Sequence, residues 1–587
     1  MMTTDDYSDV SIKGRPRISA CMIAKNEEKF LAQCLKSISP AVDEIILVDT
    51  GSTDKTVEIA ESFGAKIYHH PWNNDFSEAR NYSISYATGD WILYIDPDEV
   101  LEQDDISLLH RLIRTNSCNA IYVAIYSEIA DGQSKHYYTR ILRRGKVHFE
   151  GLVHEQPIFA GDAIRSEIRL YHYGYNLPAE EMQKKYERTE ALLKRQLEEN
   201  PKNIFALANL VRNYLNKKEY DTVVEWGERG LAIPVVKTDI SSQNQKQRIS
   251  IDLAQAFLKT NRFDEAEKVS KEALKTHPDF LDNLFQLGNI LVGKRAFQEA
   301  LHYYKKFLHA KENECHRKNF NQLIVDTYEY EHKAYNNIGE CYKNVGMLRD
   351  AEIAYKKAVE LYNRDPIYYA NLIDLYILQN RLVEAEELAK SAIRVNIADT
   401  WIYSLLGKIF ELQNKTDDAV NAFRQAVQKD NKNISVSINL VQLLLQFNRL
   451  KEAEEVLKRI LMYFPDHVGL MCLMEKLRCK NGDRSNVLRF IQDVLKSKPS
   501  DNNVYLGLAD LCIEIKDYRM AIEALGRFLE NSPNDAKVIA NIATCYVKLG
   551  NFDSAIMGFQ AALAIDPACD LAAKNLSVLK KNYCLQV

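Results

Sequence analysis

The chain has 587 residues, more than one hydrophobic core supports, so two or more domains are expected. Apolar residues make up 46% and charged residues 27%, and a net charge of −5 gives none of the basic excess that nucleic acid or an anionic membrane surface would call for. The eleven cysteines are odd in number and contain no C-x-x-C pair, which reads as reduced thiols, several of them packed in cores.

In chain order, residues 1–16 begin with the acidic MMTTDDYSDV and lack the apolar stretch of a secretory signal. They are expected to form a disordered tail on a cytoplasmic protein, and no run of eighteen apolar residues predicts a membrane span. ISACMIA, residues 18–24, is a short apolar run that suits a strand buried on both faces. Phe30, Leu31, Cys34, Leu35 and Ile38 then share one face of a helix. EIILVDT at 44–50 predicts a second strand, and Ser52 or Thr53 caps a helix closed by Gly64. Residues 66–70 predict a third strand, 76–87 a helix, and WILYID at 91–96 a fourth strand. Strands alternating with helices imply a doubly wound, mostly parallel sheet, whose ligands bind beyond the carboxyl ends of its strands.

That rule selects the candidate site. Asn26 and Glu27 follow strand one; Asp49, Gly51, Ser52 and Asp54 follow strand two; Asp96 and Asp98 flank Pro97 after strand four. Carboxylates crowded on one edge repel each other unless a cation sits among them. Asp96-Pro97-Asp98 offers hard oxygen ligands for Mg²⁺ or Mn²⁺, which would bridge a diphosphate. Neither G-x-G-x-x-G after strand one nor a P-loop motif is present, which argues against a dinucleotide oxidoreductase or a P-loop ATPase.

From residue 200 onward the chain repeats. Prolines stand at 465, 499, 533 and 567, and alanines at 351, 385, 419, 453, 521 and 555, all in one 34-residue frame with Val487 in the remaining place. A second column runs Ala358, Ala392, Ala426, Ile460, Val494, Phe528 and Ala562. Ala266 and Ala300 keep the spacing upstream, and a shift before Ala351 places an insertion near 313–330. Each unit reads as two amphipathic helices meeting at small residues, with proline ending the second. The pattern resembles the tetratricopeptide repeat and predicts about ten units over 203–570, a connecting helix at 179–202 before them and a capping helix and tail at 571–587 after them. Such arrays form an all-α solenoid with a concave groove, which implies a protein or peptide partner.

The string ISACMIAKNEE, DEIILVDTGSTDKT, WNNDFSEARNYSISYATGDWILYIDPDE resembles family 2 glycosyltransferases of the α/β GT-A fold, over residues 17–178. The resemblance implies a nucleotide-sugar donor, UDP-sugar first among them, bound by Glu27, Asp49, Asp54, Arg80 and Asp96, with Asp75 near Arg80. It implies Mn²⁺ or Mg²⁺ on Asp96 and Asp98. Thr50, where many relatives carry a second acid, and Pro97, where many carry Ala or Asp, depart from the pattern. HFEGLVHEQ at 148–156 is similar to a motif of tetratricopeptide-bearing members, in which His154 would complete the metal shell or contact the diphosphate, and Glu155 would be the general base of an inverting transfer. Tyr137, Tyr138, Arg140 and Arg143 fit either a sugar pocket or plain strand alternation. The fusion resembles peptide S-glycosyltransferases of glycocin maturation and flagellin-modifying transferases, so the expected acceptor is a Ser, Thr or Cys side chain held by the repeats. The alternatives are a cell-surface glycan or lipid-linked acceptor, and a non-catalytic scaffold.

Overall fold

The computed structural model describes residues 15–115, 117–129, 132–174, 179–236, 239–314, 327, 329–484, 486–497, 499 and 501–583. Most of the expected N-terminal tail, most of the insertion at 313–330 and the last four residues lie outside them. The chain divides into two compact units, one ending at Tyr362 and one beginning at Asn363.

The first unit opens with an α/β domain. Its elements are β1 (Ile18–Ala24), α1 (Leu31–Ile38), β2 (Glu44–Asp49), α2 (Thr56–Ser62), β3 (Lys66–His69), α3 (Phe76–Ser85), β4 (Trp91–Tyr94), β5 (Glu99–Leu101), α4 (Ile106–Thr115), β6 (Ala120–Ile129), β7 (Gly132–Arg143), β8 (Val147–Glu150), β9 (Gln156–Phe159) and β10 (Ala163–His172). Eight strands form one sheet in the order β3-β2-β1-β4-β7-β6-β10-β5, and β8 pairs with β9. The β3-β2-β1-β4 half is parallel, as the alternating pattern predicts. Beyond β4 the sheet is mixed: β7 is antiparallel to β4 and β6, while β10 returns parallel to β6.

The apolar runs explain the layers. Every residue of β1 is buried. One sheet face packs Ile18, Met22 and Trp91 on Leu31, Leu35 and Ile38 of α1 and Leu109 and Ile113 of α4. The other packs Ile46, Tyr94 and Leu142 near Ile84 of α3 and Phe149 of β8. Register places Ala24 beside Asp49 and Cys21 beside Tyr94, so the carboxyl ends of β1, β2 and β4 open on the same edge.

Helices follow: α5 (Ala179–Glu199), then the pairs α6 (Ile204–Asn216) and α7 (Tyr220–Ala232), α8 (Ile240–Lys259) and α9 (Phe263–Thr276), α10 (Leu281–Gly293) and α11 (Phe297–Glu314), α12 (Glu331–Asn344) and α13 (Leu348–Leu361). α5 joins this stack, because Leu192, Leu193 and Leu197 share a core with Leu207 and Leu210 of α6. In the second unit six helix pairs run from Pro366 to Ile565, and Asp570–Tyr583 is the final helix. The alanine column is fully buried: Ala351, Ala385, Ala419, Ala453, Ala521 and Ala555 have no exposed surface, and Val487 has 1%. The nine described cysteines are buried. Among the described residues, no helix is long and apolar enough to cross a membrane.

The turn inside each pair has its own column. Gly346, Asn380, Asn414, Asn448, Gly482, Lys516 and Gly550 recur in the 34-residue frame, and all have positive φ. The left-handed region suits glycine and tolerates asparagine, and it costs other side chains about 1–2 kcal/mol. Lys516, at φ 65, carries that strain. Lys516→Gly is therefore expected to raise the urea midpoint of the second unit, and Gly550→Val to lower its stability by about 1–2 kcal/mol.

Candidate active site

Two loops form the floor of the site. The Asn26 side-chain oxygen accepts from the Thr53 N–H at 2.7 Å, and the Asn26 N–H donates to Ser52 Oγ at 3.0 Å. The Glu27 N–H donates to Thr56 Oγ1 at 2.7 Å, and the Glu28 N–H to Asp54 Oδ2 at 3.1 Å. Asp49 accepts from the N–H groups of Gly51 and Ser52 at 3.2 and 3.0 Å. Burial alone would raise the Asp49 pKa, but these bonds and His69 outweigh it and lower it. Asp54 is likewise held by the Thr56 N–H and hydroxyl at 3.0 and 2.6 Å. Both carboxylates shape the loops, which set Glu27 at the strand ends.

The turn after β4 carries a dense ion array. Arg80, buried on α3, donates from Nη2 to Asp96 Oδ1 at 2.5 Å and from Nε to Glu155 Oε1. Arg140, buried on β7, donates to Asp96 Oδ2 at 3.0 Å and to Glu99 Oε1 at 2.5 Å. Both guanidinium groups lie near the Tyr94 ring, 5.1 and 4.5 Å from its centroid. Burial would raise the Asp96 pKa, but Arg80 and Arg140 hold it far below the carboxylate range. Both Asp96 oxygens are thus engaged by arginine.

Asp98 faces His172 at the end of β10, with Nε2 to Oδ2 at 3.2 Å. Burial disfavours the imidazolium, yet the bond to Asp98 and the charges of Asp98, Glu99 and Asp96 raise the His172 pKa. The Asp98 carboxylate reaches this position because residue 174 is glycine, where a Cβ would collide with it. A hard oxygen and an imidazole nitrogen suit a divalent cation, and Mg²⁺ typically takes one or two carboxylates and completes its shell with phosphate and water. Among the described residues, no three His, Cys, Asp or Glu side chains cluster as a ready-made metal cage.

The segment Gly151-Leu152-Val153-His154-Glu155 works residue by residue. The Leu152 carbonyl accepts from the Phe76 N–H at 2.9 Å at the start of α3. Val153 is buried in the core of α5 and α6. His154 has φ 53, and Glu155 turns back to Arg80. His154, expected near the acids, is exposed at the surface of the cleft on the side of Arg248 and Lys185; enclosure by the cleft walls, then those two cations, lowers its pKa to about 4. Asp75, expected near Arg80, accepts from the Glu78 N–H at 3.0 Å and caps α3.

Glu27, Arg80, Asp96, Asp98, His154 and Glu155 all line one cleft of about 2150 Å³, whereas Asp49 and Asp54 stand outside it. The opposite wall comes from α5 and from the first helices of three repeats, with Asn209 and Arg212 on α6, Asn244 and Arg248 on α8, and Gln286 and Asn289 on α10. Of the four uncertain residues on β7, Arg140 belongs to the ion array and Tyr138 accepts from Gln156 Nε2 at 2.5 Å beside it. Tyr137 bonds Glu167 and Arg143 stacks on Trp91. His172 and Lys185 have weak sequence signals: charged residues mask β10, the stretch 179–202 reads as a connecting helix, and the glycine in HYGY is the one sign of close packing near His172.

The α/β domain is thus a half-parallel sheet with acids on its strand ends, walled by helical repeats. Residues 19–168 match the Glycosyl transferase family 2 model, and residues 251–314, 332–365, 412–470, 503–535 and 536–569 match tetratricopeptide repeat models. The chain thus carries a family 2 glycosyltransferase domain followed by tetratricopeptide repeats. It is 31% identical over 231 residues to a TPR repeat-containing protein of Synechococcus elongatus, covering 37% of this chain and 56% of that one. It is 34% identical over 203 residues to the SPbeta prophage-derived glycosyltransferase SunS of Bacillus subtilis, covering 32% of this chain and 48% of that one. An uncharacterized glycosyltransferase of Rickettsia felis is 43% identical over 96 residues, 16% of this chain and 34% of that one. The chain spans about half the length of the first two relatives.

The Glu27 carboxyl is pushed up to about 7 by burial first, then by the charges of Asp98 and Asp96. A carboxyl raised on folding binds protons more tightly in the folded state, so its contribution to stability falls as pH rises from about 4.5 to about 7. Glu27→Gln is expected to flatten the difference in thermal midpoint across that window in metal-free buffer. Arg140→Met leaves Asp96 and Glu99 short of their cation and is expected to cost about 3–5 kcal/mol in denaturant unfolding.

Proposed function

We propose that this chain is an inverting, metal-dependent glycosyltransferase that moves a sugar from a nucleotide-sugar donor to a Ser, Thr or Cys side chain of a peptide or protein. One observation carries the reading: the acidic strand ends of the glycosyltransferase domain and the inner helices of the first three repeats bound the same cleft. A polypeptide held by the repeats would therefore present its side chain at the sheet edge.

In this reading Glu27 and the loops built by Asn26, Asp49 and Asp54 frame the nucleoside, with UDP the preferred nucleotide. Asp98 and, once deprotonated, His172 would hold Mn²⁺ or Mg²⁺, which would supply Lewis-acid stabilisation of the diphosphate. Asp96 acts as the anchor of Arg80 and Arg140. Arg80 orients Glu155 through Oε1, and Glu155 Oε2 has no hydrogen-bond partner within the protein among the described residues. That oxygen takes the proton of the acceptor hydroxyl or thiol. The acceptor O or S then bonds to the anomeric carbon from the face opposite the nucleotide, and the anomeric C–O bond breaks with its electron pair on the diphosphate. Neutral His154 stands beside Glu155 and hydrogen-bonds an incoming group without adding charge.

The test combines a donor screen with a transfer assay. A nucleotide sugar that binds the folded chain raises its thermal midpoint, and more so with Mn²⁺. Incubation with that donor and candidate peptides is expected to add one hexose or N-acetylhexosamine to the peptide by mass spectrometry. Glu155→Gln is expected to lower the turnover by roughly 10²–10⁴-fold while donor binding persists. Asp98→Ala is expected to abolish the Mn²⁺ dependence of binding. The absence of any midpoint shift together with the absence of hydrolysis and transfer across the nucleotide sugars would defeat the reading.

A further inference from the structure

Lys25 included, the sheet edge carries more negative than positive charge where the ligand proposed above would lie. Glu27, Asp96, Asp98, Glu99 and Glu155 meet there, and Arg80 and Arg140 are committed to Asp96, Glu99 and Glu155. A nucleoside diphosphate adds further negative charge to the same place.

Positive charge arrives from the facing wall. Lys185 and Arg188 lie one turn apart on α5, both line the cleft, and both face Glu27. The Arg188 guanidinium sits 5.6 Å from the ring centroid of Phe76, whose N–H donates to the Leu152 carbonyl at the start of α3. Lys185 also faces His154, as does Arg248 from α8. These cations ride on a rigid support. Leu192 and Leu193 bury α5 against α6, and Glu190 is held by the Tyr214 hydroxyl at 2.9 Å and by Lys217 Nζ at 3.0 Å. Charge carried on a packed helix meets a ligand without the entropy loss of ordering a loop.

We propose that Lys185 and Arg188 bind the diphosphate of the nucleotide donor, so that α5, a linker by its place in the sequence, is one wall of the donor pocket. This rests on the glycosyltransferase reading. Ammonium and guanidinium N–H groups make charge-assisted bonds to phosphate oxygens. They also offset the charge that grows on the diphosphate as the anomeric bond breaks. The helical repeats would then contribute to donor binding through their first helix, separately from any acceptor.

The experiment is calorimetric titration of the full chain with UDP, GDP and inorganic pyrophosphate in the presence of Mn²⁺. Lys185→Ala with Arg188→Ala is expected to weaken nucleoside diphosphate binding roughly tenfold or more. Lys184→Ala, on the exposed side of the same helix, removes an equal charge and is expected to leave affinity within about twofold. Arg188→Lys restores one cation and is expected to recover part of the loss. Thermal midpoints matching the parent's identify these as binding effects. If the double variant binds the nucleoside diphosphate as tightly as the parent, this inference falls and the glycosyltransferase reading stands. If the parent binds none of the three probes, both fall.

Discussion

The Arg80 guanidinium is the tie on which the rest of the site hangs. It is buried on a helix, and it joins the end of β4 through Asp96 to the segment before β9 through Glu155. Arg140 extends the chain of charges to Glu99. Removing five charged groups from water is costly, and such arrays are recovered only by close geometry and complete bonding. Here the arrangement also has a positional result. Three elements far apart in sequence cannot drift, so the carboxylate of Glu155 and the strand end at Asp98 keep a fixed relation.

Val153 does for the two halves of the first unit what Arg80 does for the sheet edge. It belongs by sequence to the α/β domain, yet it is buried with Leu193 and Leu207 of the helical stack. Its neighbours therefore diverge: His154 is delivered to the helical side of the cleft, and Glu155 to the arginine side. A positive φ at a non-glycine residue carries a conformational cost, and at His154 that cost is borne where the segment must reverse within one residue. The site is accordingly a product of both halves, although the residues that match the family 2 model end at 168.

Much of this was legible in the residues. Fully buried strands announce themselves as apolar runs, so β1, β2 and β4 and the edge they share could be placed without an alignment. The 34-residue columns of alanine and proline located the helix pairs, because close helix approach and helix termination leave few choices of side chain. What escaped was decided by partners distant in sequence. β10 reads AIRSEIRLYH, with charges that mask its pairing, so the glycine two residues after His172 is the one hint that it stands against Asp98. Asp49 and Asp54 read as acids at a strand end, and only the structure shows that they also accept from loop N–H groups. Asp96 shows the same limit, because a carboxylate's partner cannot be read from the carboxylate.

The cleft wall formed by α5, α6, α8 and α10 has one more effect. Side chains that begin more than eighty positions after Asp98 line the wall that faces the sheet edge. A substitution in those helices therefore alters the surroundings of Asp98 without touching the sequence of the α/β domain.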